Sequence, residues 1–229
     1  MLYPIELRAR AKYYPALRAL RTESPLCGRS SYPFDMTGPI ETEIKLPLKD
    51  GAGPAILLLE RYGYRITQPR TLQADQVFDF PDGALRQSGR LLRLRSENAA
   101  SENGVAILTY KGPVLSASPH KSREELETSV ADGATLEKIL ERLGFVPSFH
   151  YEKYRTTFQA SAEPGLIALD ETPIGVFLEL EGPAYWIDRT ALRLGFAPRD
   201  YVTASYSALY RAFRESHEGP PDMRFGEEP

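Results

Sequence analysis

The chain has 229 residues, 42% of them hydrophobic and 26% charged, which excludes a wholly disordered polymer and allows one substantial core. Its net charge of -3 argues against a general nucleic-acid binder, so any grip on phosphate must come from a local concentration of cations. One cysteine, Cys27, excludes an internal disulfide framework and fits a reducing, cytoplasmic setting. No apolar stretch approaches the roughly 20 residues of a membrane span, so no membrane partner is expected.

Residues 1–37 read as an N-terminal extension of low order. They are rich in Arg, Tyr and Leu, broken by Pro4 and Pro15, and followed by a loop composition with Pro25, Gly28, Pro33 and Gly38. Met36 is a candidate alternative start. The main domain is expected over 38–215 and a polar tail over 216–229.

The first strand, 40–46, sets the theme. Glu41, Glu43 and Lys45 alternate with apolar or β-branched residues, so the three charges share one face while Ile40, Ile44 and Leu46 share the other. A short helix over 55–62 is opened by Pro54. Strands follow at 64–69 and 75–80, the second ending in an Asp-Phe-Pro-Asp-Gly turn signal. Strands at 91–95 and 105–110 flank a polar loop, as in a hairpin. Lys111 follows directly, and 115–120 reads as a loop. The stretch 122–130 reads as a strand with Arg123, Glu125 and Glu127 on one face, with a helix as the alternative for so charged a segment. A helix spans 135–143, closed by Gly144. Long strands at 145–158, 166–171 and 176–181 come next, and helices at 187–194 and 203–215 complete the domain. The pattern is α+β, mainly β, and with few helices and short turns a closed antiparallel barrel is favoured.

The charged alternation recurs. Arg93 and Arg95 alternate with Leu92 and Leu94, Lys153 and Arg155 with Tyr154 and Thr156, and Glu179 and Glu181 with Val176, Leu178 and Leu180. A sheet with both faces committed follows: one packed under helices, the other lining something wet and ionic. Concentrating ions inside is costly unless each is paired, hydrated or ligated. A structural ion-pair network meets that requirement. So does a polyanion bound with a divalent metal, in which Lys and Arg hold phosphate oxygens and carboxylates hold the hard ion. If repulsion among carboxylates dominates, removing Glu43 or Glu179 leaves the fold intact.

Other features read as structural. His120, His150 and His217 are scattered and do not make a zinc site or a triad. Gly51-Ala52-Gly53 lacks the remaining residues of a phosphate loop. Trp186 and the tyrosines of 201–210 recur at spacings suited to helix packing, with base stacking as the alternative role.

Taken in order, Glu41-x-Glu43-x-Lys45, Arg93-x-Arg95, Lys111 in Tyr-Lys-Gly-Pro, Lys153-x-Arg155, and Asp170-Glu171-Thr172-Pro173 followed by Glu179-x-Glu181 resemble the CYTH domain, or triphosphate tunnel metalloenzymes, over roughly 38–212. The resemblance implies an eight-stranded antiparallel tunnel with helices packed outside, binding triphosphate compounds with Mg²⁺ or Mn²⁺. It implies Glu41, Glu43, Glu179 and Glu181 as metal-site carboxylates, with Asp170 supporting. Lys45, Arg93, Arg95, Lys111, Lys153, Arg155 and, less directly, Arg123 are implied as triphosphate ligands, and Lys45, Lys111 and Asp170 as the catalytic set. The substrate is then a small triphosphate: ATP, tripolyphosphate or thiamine triphosphate. Tyr-Lys-Gly-Pro and Ser-Arg-Glu-Glu lean toward the class IV adenylate cyclases, making cyclic AMP and pyrophosphate. Triphosphatase activity is the alternative, and a non-catalytic polyphosphate-binding module a third reading. A homodimer is compatible with the sequence, but no residue specifies it.

Overall fold

A computed structural model of the protein describes residues 39–97, 105–115 and 119–226. The expected extension and the polar loop at 98–104 lie outside the described residues. Among those described, eight strands form: β1 (Ile40–Leu48), β2 (Arg65–Asp79), β3 (Leu91–Glu97), β4 (Val105–Lys111), β5 (Lys121–Val130), β6 (Val146–Gln159), β7 (Leu166–Thr172) and β8 (Gly175–Glu181). They close into one barrel in the order β1-β5-β4-β3-β2-β6-β7-β8. Every pairing is antiparallel. Closure depends on β1, whose first residues pair with β5 and whose remainder pairs with β8. No strand edge is left open.

Among the described residues five α-helices accompany the barrel: α1 (Ala52–Arg61), α2 (Ala84–Gln87), α3 (Gly133–Arg142), α4 (Ala184–Arg193) and α5 (Tyr206–Arg214). The expected mainly-β closed barrel is therefore the fold. Its apolar core lies between the outer wall and the helices. Ile44 and Leu46 of β1, Phe158 of β6, Ile167 and Leu169 of β7 and Leu178 and Leu180 of β8 pack against Leu59 of α1 and Trp186, Ile187 and Ala191 of α4. Burying each of the larger side chains contributes about 1.5–3 kcal/mol. Trp186 is fully buried and lies so close to Gly165 that a Cβ there would meet its ring at 2.4 Å, a contact only glycine permits. On the other side Phe78, Leu94 and Ala106 are covered by Leu140 of α3.

Four details depart from the sequence reading. The strands expected at 64–69 and 75–80 are one, because register shifts between Ile66 and Gln68 and between Gln68 and Thr71 absorb Pro69, which lacks an N–H for the ladder. The short α2 was not anticipated; the Asp79 carboxylate organises it by accepting N–H bonds from Phe80, Leu85 and Arg86. α5 starts later than expected because Ser205 caps it, accepting from the Ala208 N–H at 3.3 Å. The expected polar tail is bound to β6 through its central residues. Met223 is fully buried, its N–H donates to the His150 carbonyl at 3.1 Å, and its carbonyl accepts from the Glu152 N–H at 2.8 Å. No helix of the described residues is long and apolar enough to cross a membrane.

Candidate functional site

Strand alternation turns the other set of side chains inward, around a cavity of about 490 Å³. β1 supplies Glu41, Glu43 and Lys45, β3 supplies Arg93 and Arg95, and β4 supplies Lys111. β5 contributes Lys121, Arg123, Glu125 and Glu127, β6 contributes Tyr151, Lys153 and Arg155, and β8 contributes Glu179 and Glu181. Among the described residues the lining thus holds eight cations and six carboxylates.

Two further carboxylates stand behind the lining, fully buried. Asp170 of β7 accepts from Lys153 Nζ at 2.9 Å, from Arg155 Nε and Nη2 at 2.6 Å each, and from the Tyr206 hydroxyl at 2.7 Å. Asp75 of β2 lies directly opposite Arg95 in the ladder and accepts from its Nε at 2.9 Å, with Arg93 Nε 3.3 Å away. Asp170 was expected among the metal-site carboxylates and the catalytic set. In the structure both of its oxygens are occupied by cations and a phenol, so from behind the lining it fixes Lys153 and Arg155 in place. All the other expected residues meet at the one cavity.

The ion pairs are closely spaced. Lys45 Nζ lies 3.0 Å from Glu179 and 3.4 Å from Glu43, and Lys121 Nζ lies 2.6 Å from Glu43. Arg155 also bonds Glu179. Lys111 Nζ spans Glu41 at 2.7 Å and Glu125 at 2.6 Å. Arg93 reaches Thr109 at 2.9 Å and Glu127 at 3.2 Å. Glu43 is therefore a bridge between two buried lysines. Removing it takes the carboxylate partner from Lys121 and leaves Lys45 with Glu179 alone, which argues against the expectation that its loss relieves repulsion and spares the fold.

These neighbours set the protonation states. Burial pushes the Glu43 carboxyl up, but Lys45 and Lys121 outweigh it and hold the group well below the usual carboxylate range. Burial also opposes ionisation of Glu179, where Lys45 and Arg155 prevail in the same sense. Lys45 stays charged: burial pulls it down, and Glu179 and Glu43 more than restore it. Burial lowers Lys111 to about 8 despite Glu41. Burial, reinforced by Arg155, lowers Lys153 to about 8. Glu181 stands opposite Glu43 across the β1–β8 ladder, and burial together with Glu41 raises it to about 7.

Sequence reasoning missed Asp75, Lys121, Tyr151 and Tyr206. Lys121 had a usable signal, since it shares the parity of Arg123, Glu125 and Glu127. Asp75 had none locally, because its role depends on a strand partner twenty residues away.

The donors suit a hard divalent ion, being carboxylate oxygens that crowd one another at Glu41, Glu43, Glu179 and Glu181. Among the described residues no three acidic, His or Cys side chains are gathered into a preformed metal cage, because lysines and arginines hold the glutamates.

The CYTH domain model matches residues 39–184. A Methanocaldococcus jannaschii protein named "Putative adenylate cyclase" is 30% identical over 142 residues, which is 62% of this chain and 76% of the relative. The fold is shared with a Vibrio parahaemolyticus protein described as a "putative adenylate cyclase", at 22% identity and a TM-score of 0.64, over 76% of this chain and 99% of that one. It is shared also with a Hippeastrum protein described as a "putative adenylyl cyclase" with a dominant triphosphatase activity, at 21% identity and a TM-score of 0.53, over 76% and 95%. At such identities these two structures speak for the fold alone. With the family model spanning most of the barrel and its inward charges matching the expected order, the chain belongs to the CYTH domain family.

Proposed function

We propose that the protein is a divalent-metal-dependent enzyme that cleaves a phosphoanhydride bond of a triphosphate compound held inside the barrel. The observation that carries this reading is the convergence of eight lysines and arginines, with a row of glutamates, on one cavity of about 490 Å³. A trianionic or tetra-anionic chain of phosphoryl groups answers the cations, and forked guanidinium donors at Arg93, Arg95 and Arg155 suit its oxygens. Lys45, Lys111, Lys121, Arg123 and Lys153 complete the grip. Asp75 and Asp170 hold the arginines and Lys153 in position from behind.

Glu41, Glu43, Glu179 and Glu181 would hold Mg²⁺ or Mn²⁺. When bound, the ion polarises phosphoryl oxygens and offsets repulsion between carboxylates and substrate. The chain's own residues orient the phosphates for in-line displacement and neutralise charge that develops on the leaving oxygen, so no protein nucleophile is needed.

Two outcomes are open to such a site. In the cyclase reading, supported by the name of the archaeal relative, the ribose 3′-oxygen of ATP bonds to the α-phosphorus as the bond to the bridging oxygen breaks and pyrophosphate leaves. In the hydrolase reading, water attacks the terminal phosphorus and orthophosphate leaves. One feature of the cavity favours the second. Its aromatic rings are engaged elsewhere, with the Tyr206 hydroxyl on Asp170 and the ring of Tyr151 packed on Phe149, so the cavity wall itself offers phosphate contacts and little for a nucleobase. Product analysis decides between them. Purified protein with Mg²⁺ or Mn²⁺ is given ATP or tripolyphosphate, and cyclic AMP with pyrophosphate marks the cyclase, while orthophosphate with a shortened chain marks the hydrolase. Binding without either product reduces the protein to a non-catalytic polyphosphate-binding module.

A further inference from the structure

A second chamber, of about 650 Å³, lies against the barrel cavity where β2 ends and β3 and β6 begin, flanked by α5. The two cavities share Lys121, Arg123, Ser205 and Ser207 in their walls. Arg123 is nine-tenths buried, its Nε has no hydrogen-bond partner, and no carboxylate of the described residues lies within 4.0 Å of its guanidinium. A buried guanidinium N–H without an acceptor, here that of Nε, is costly until an anion supplies one. Beside it α5 begins, with the Ser205 and Ser207 hydroxyls 2.9 Å apart at a helix N-terminus, where unpaired N–H groups and the helix dipole favour negative charge.

Beyond this crossing the chamber is lined by Arg86, Arg90, Arg211 and Arg214. None of the four makes an ion pair with a carboxylate of the described residues. Exposed arginines elsewhere are of both kinds: Arg70, Arg189 and Arg224 each stand within 4.0 Å of a carboxylate, and Arg61, Arg65 and Arg142 do not, so it is the gathering of four unpaired arginines around one chamber that sets it apart. The chamber's own acids, Asp79 and Asp82, accept backbone N–H bonds but keep their charge, so six cations of the lining face two carboxylates. Its rings are stacked on neighbours, Phe80 on Phe145 at 4.4 Å and Tyr210 on Phe213 at 6.2 Å. What is left unspent is positive charge, which an uncharged nucleoside does not answer.

We propose that the second chamber continues the phosphate path of the barrel, so that the protein binds linear polyphosphates longer than three phosphoryl groups. Arg123 and the N-terminus of α5 take the phosphoryl group at the crossing, and the four outer arginines take those beyond it. The inference rests on the reading of the barrel as a triphosphate site and extends it to a substrate class.

The test is calorimetric titration of the full chain with tripolyphosphate, linear pentaphosphate and ATP, without divalent metal so that no turnover intervenes. Arg211→Ala/Arg214→Ala removes two exposed charges from α5, and Lys49→Ala/Arg61→Ala removes two from the α1 side as a charge-matched control; thermal melting verifies that both fold. Pentaphosphate binds the wild type about tenfold tighter than tripolyphosphate, and the α5 variant loses that gain while its tripolyphosphate affinity stays within about twofold. The control retains the gain. The inference is overturned if pentaphosphate gains nothing in the wild type, if the α5 variant weakens both ligands alike, or if the control loses the gain equally. It is also overturned if the variant weakens ATP alone, which makes the chamber a nucleoside seat. Failure of tripolyphosphate and ATP to bind the wild type either without metal or with Mg²⁺ is a different result, which overturns the reading of the barrel itself.

Discussion

On β8, Leu178 and Leu180 face outward and pack with Leu59 and Trp186, while Glu179 and Glu181, one residue away, face the cavity. The same strand thus builds two walls of opposite character, and β1 does so with Ile44 and Leu46 against Glu43 and Lys45. The outer wall is stabilised by non-directional burial of apolar area, which tolerates exchange among side chains of similar volume. The inner wall consists of buried ions, each dependent on particular partners at 2.6–3.4 Å. An apolar interior of similar volume is commonly as stable as such ion pairs or more so, so stability does not account for the charges inside. The contrast separates what makes the barrel fold from what the barrel holds.

The largest expected effect breaks the outer wall alone. Trp186→Ala leaves a cavity beneath α4 and costs about 3–5 kcal/mol of stability. Urea unfolding measures the loss, and turnover per folded molecule stays unchanged well below the unfolding midpoint. A loss of turnover in fully folded variant would show that the walls are not separable. The next effect lies inside. Glu43→Ala lowers metal-dependent turnover by about a hundredfold or more and costs about 3 kcal/mol, because Lys45 and Lys121 lose their common partner. Combining it with Lys45→Ala then costs less than the sum of the single changes, and strictly additive stabilities would mean that the inner wall is not a coupled network.

Much of this division was legible in the sequence, since period-two alternation assigns Glu41, Glu43 and Lys45 to one face whatever the fold. Which face is inside follows once the strands close, and closure was implied by their number and short turns. Asp75 was not legible, because Gln73, Gln76 and Asp79 surround it with other polar groups and only its register opposite Arg95 reveals its part. Tyr206 could be assigned to helix packing from its spacing to Tyr210, but its hydrogen bond to Asp170 depends on where α5 crosses the barrel. Met223 was hidden because one apolar residue in a polar segment carries no period; its burial with Tyr151, Phe177 and Tyr206 is a tertiary fact.

A smaller effect sharpens the comparison through pH. Lys153 ionises at about 8 in the folded protein and at 10.5 when unperturbed, because burial and then Arg155 disfavour its charge. Between those values the unfolded chain binds more protons than the folded one, so this group makes stability rise with pH across the window. A bound polyanion favours the charged lysine, so tripolyphosphate affinity is level below pH 8 and falls above it by up to tenfold per unit. Stability and affinity therefore respond with opposite signs. Lys153→Arg, which keeps its charge, reduces the alkaline fall in affinity; titrations across the window that show the same slope in the variant would remove Lys153 from the phosphate contacts.

The smallest effect is expected from an ion pair on the outside. Arg70 Nε lies 2.6 Å from Glu171, shorter than most pairs of the inner wall, and its guanidinium sits 3.5 Å over the Tyr154 ring, yet half of the Arg70 side chain is exposed. Solvent screens the attraction and the long side chain loses entropy in being held, so Arg70→Ala costs less than about 1 kcal/mol and leaves turnover unchanged. Distance alone would rank this pair above Lys45 with Glu179, whereas burial ranks it far below. Urea melts of Arg70→Ala and Glu43→Ala measured side by side test that ranking, and equal losses would mean that the interior of the barrel screens charge as well as open water does.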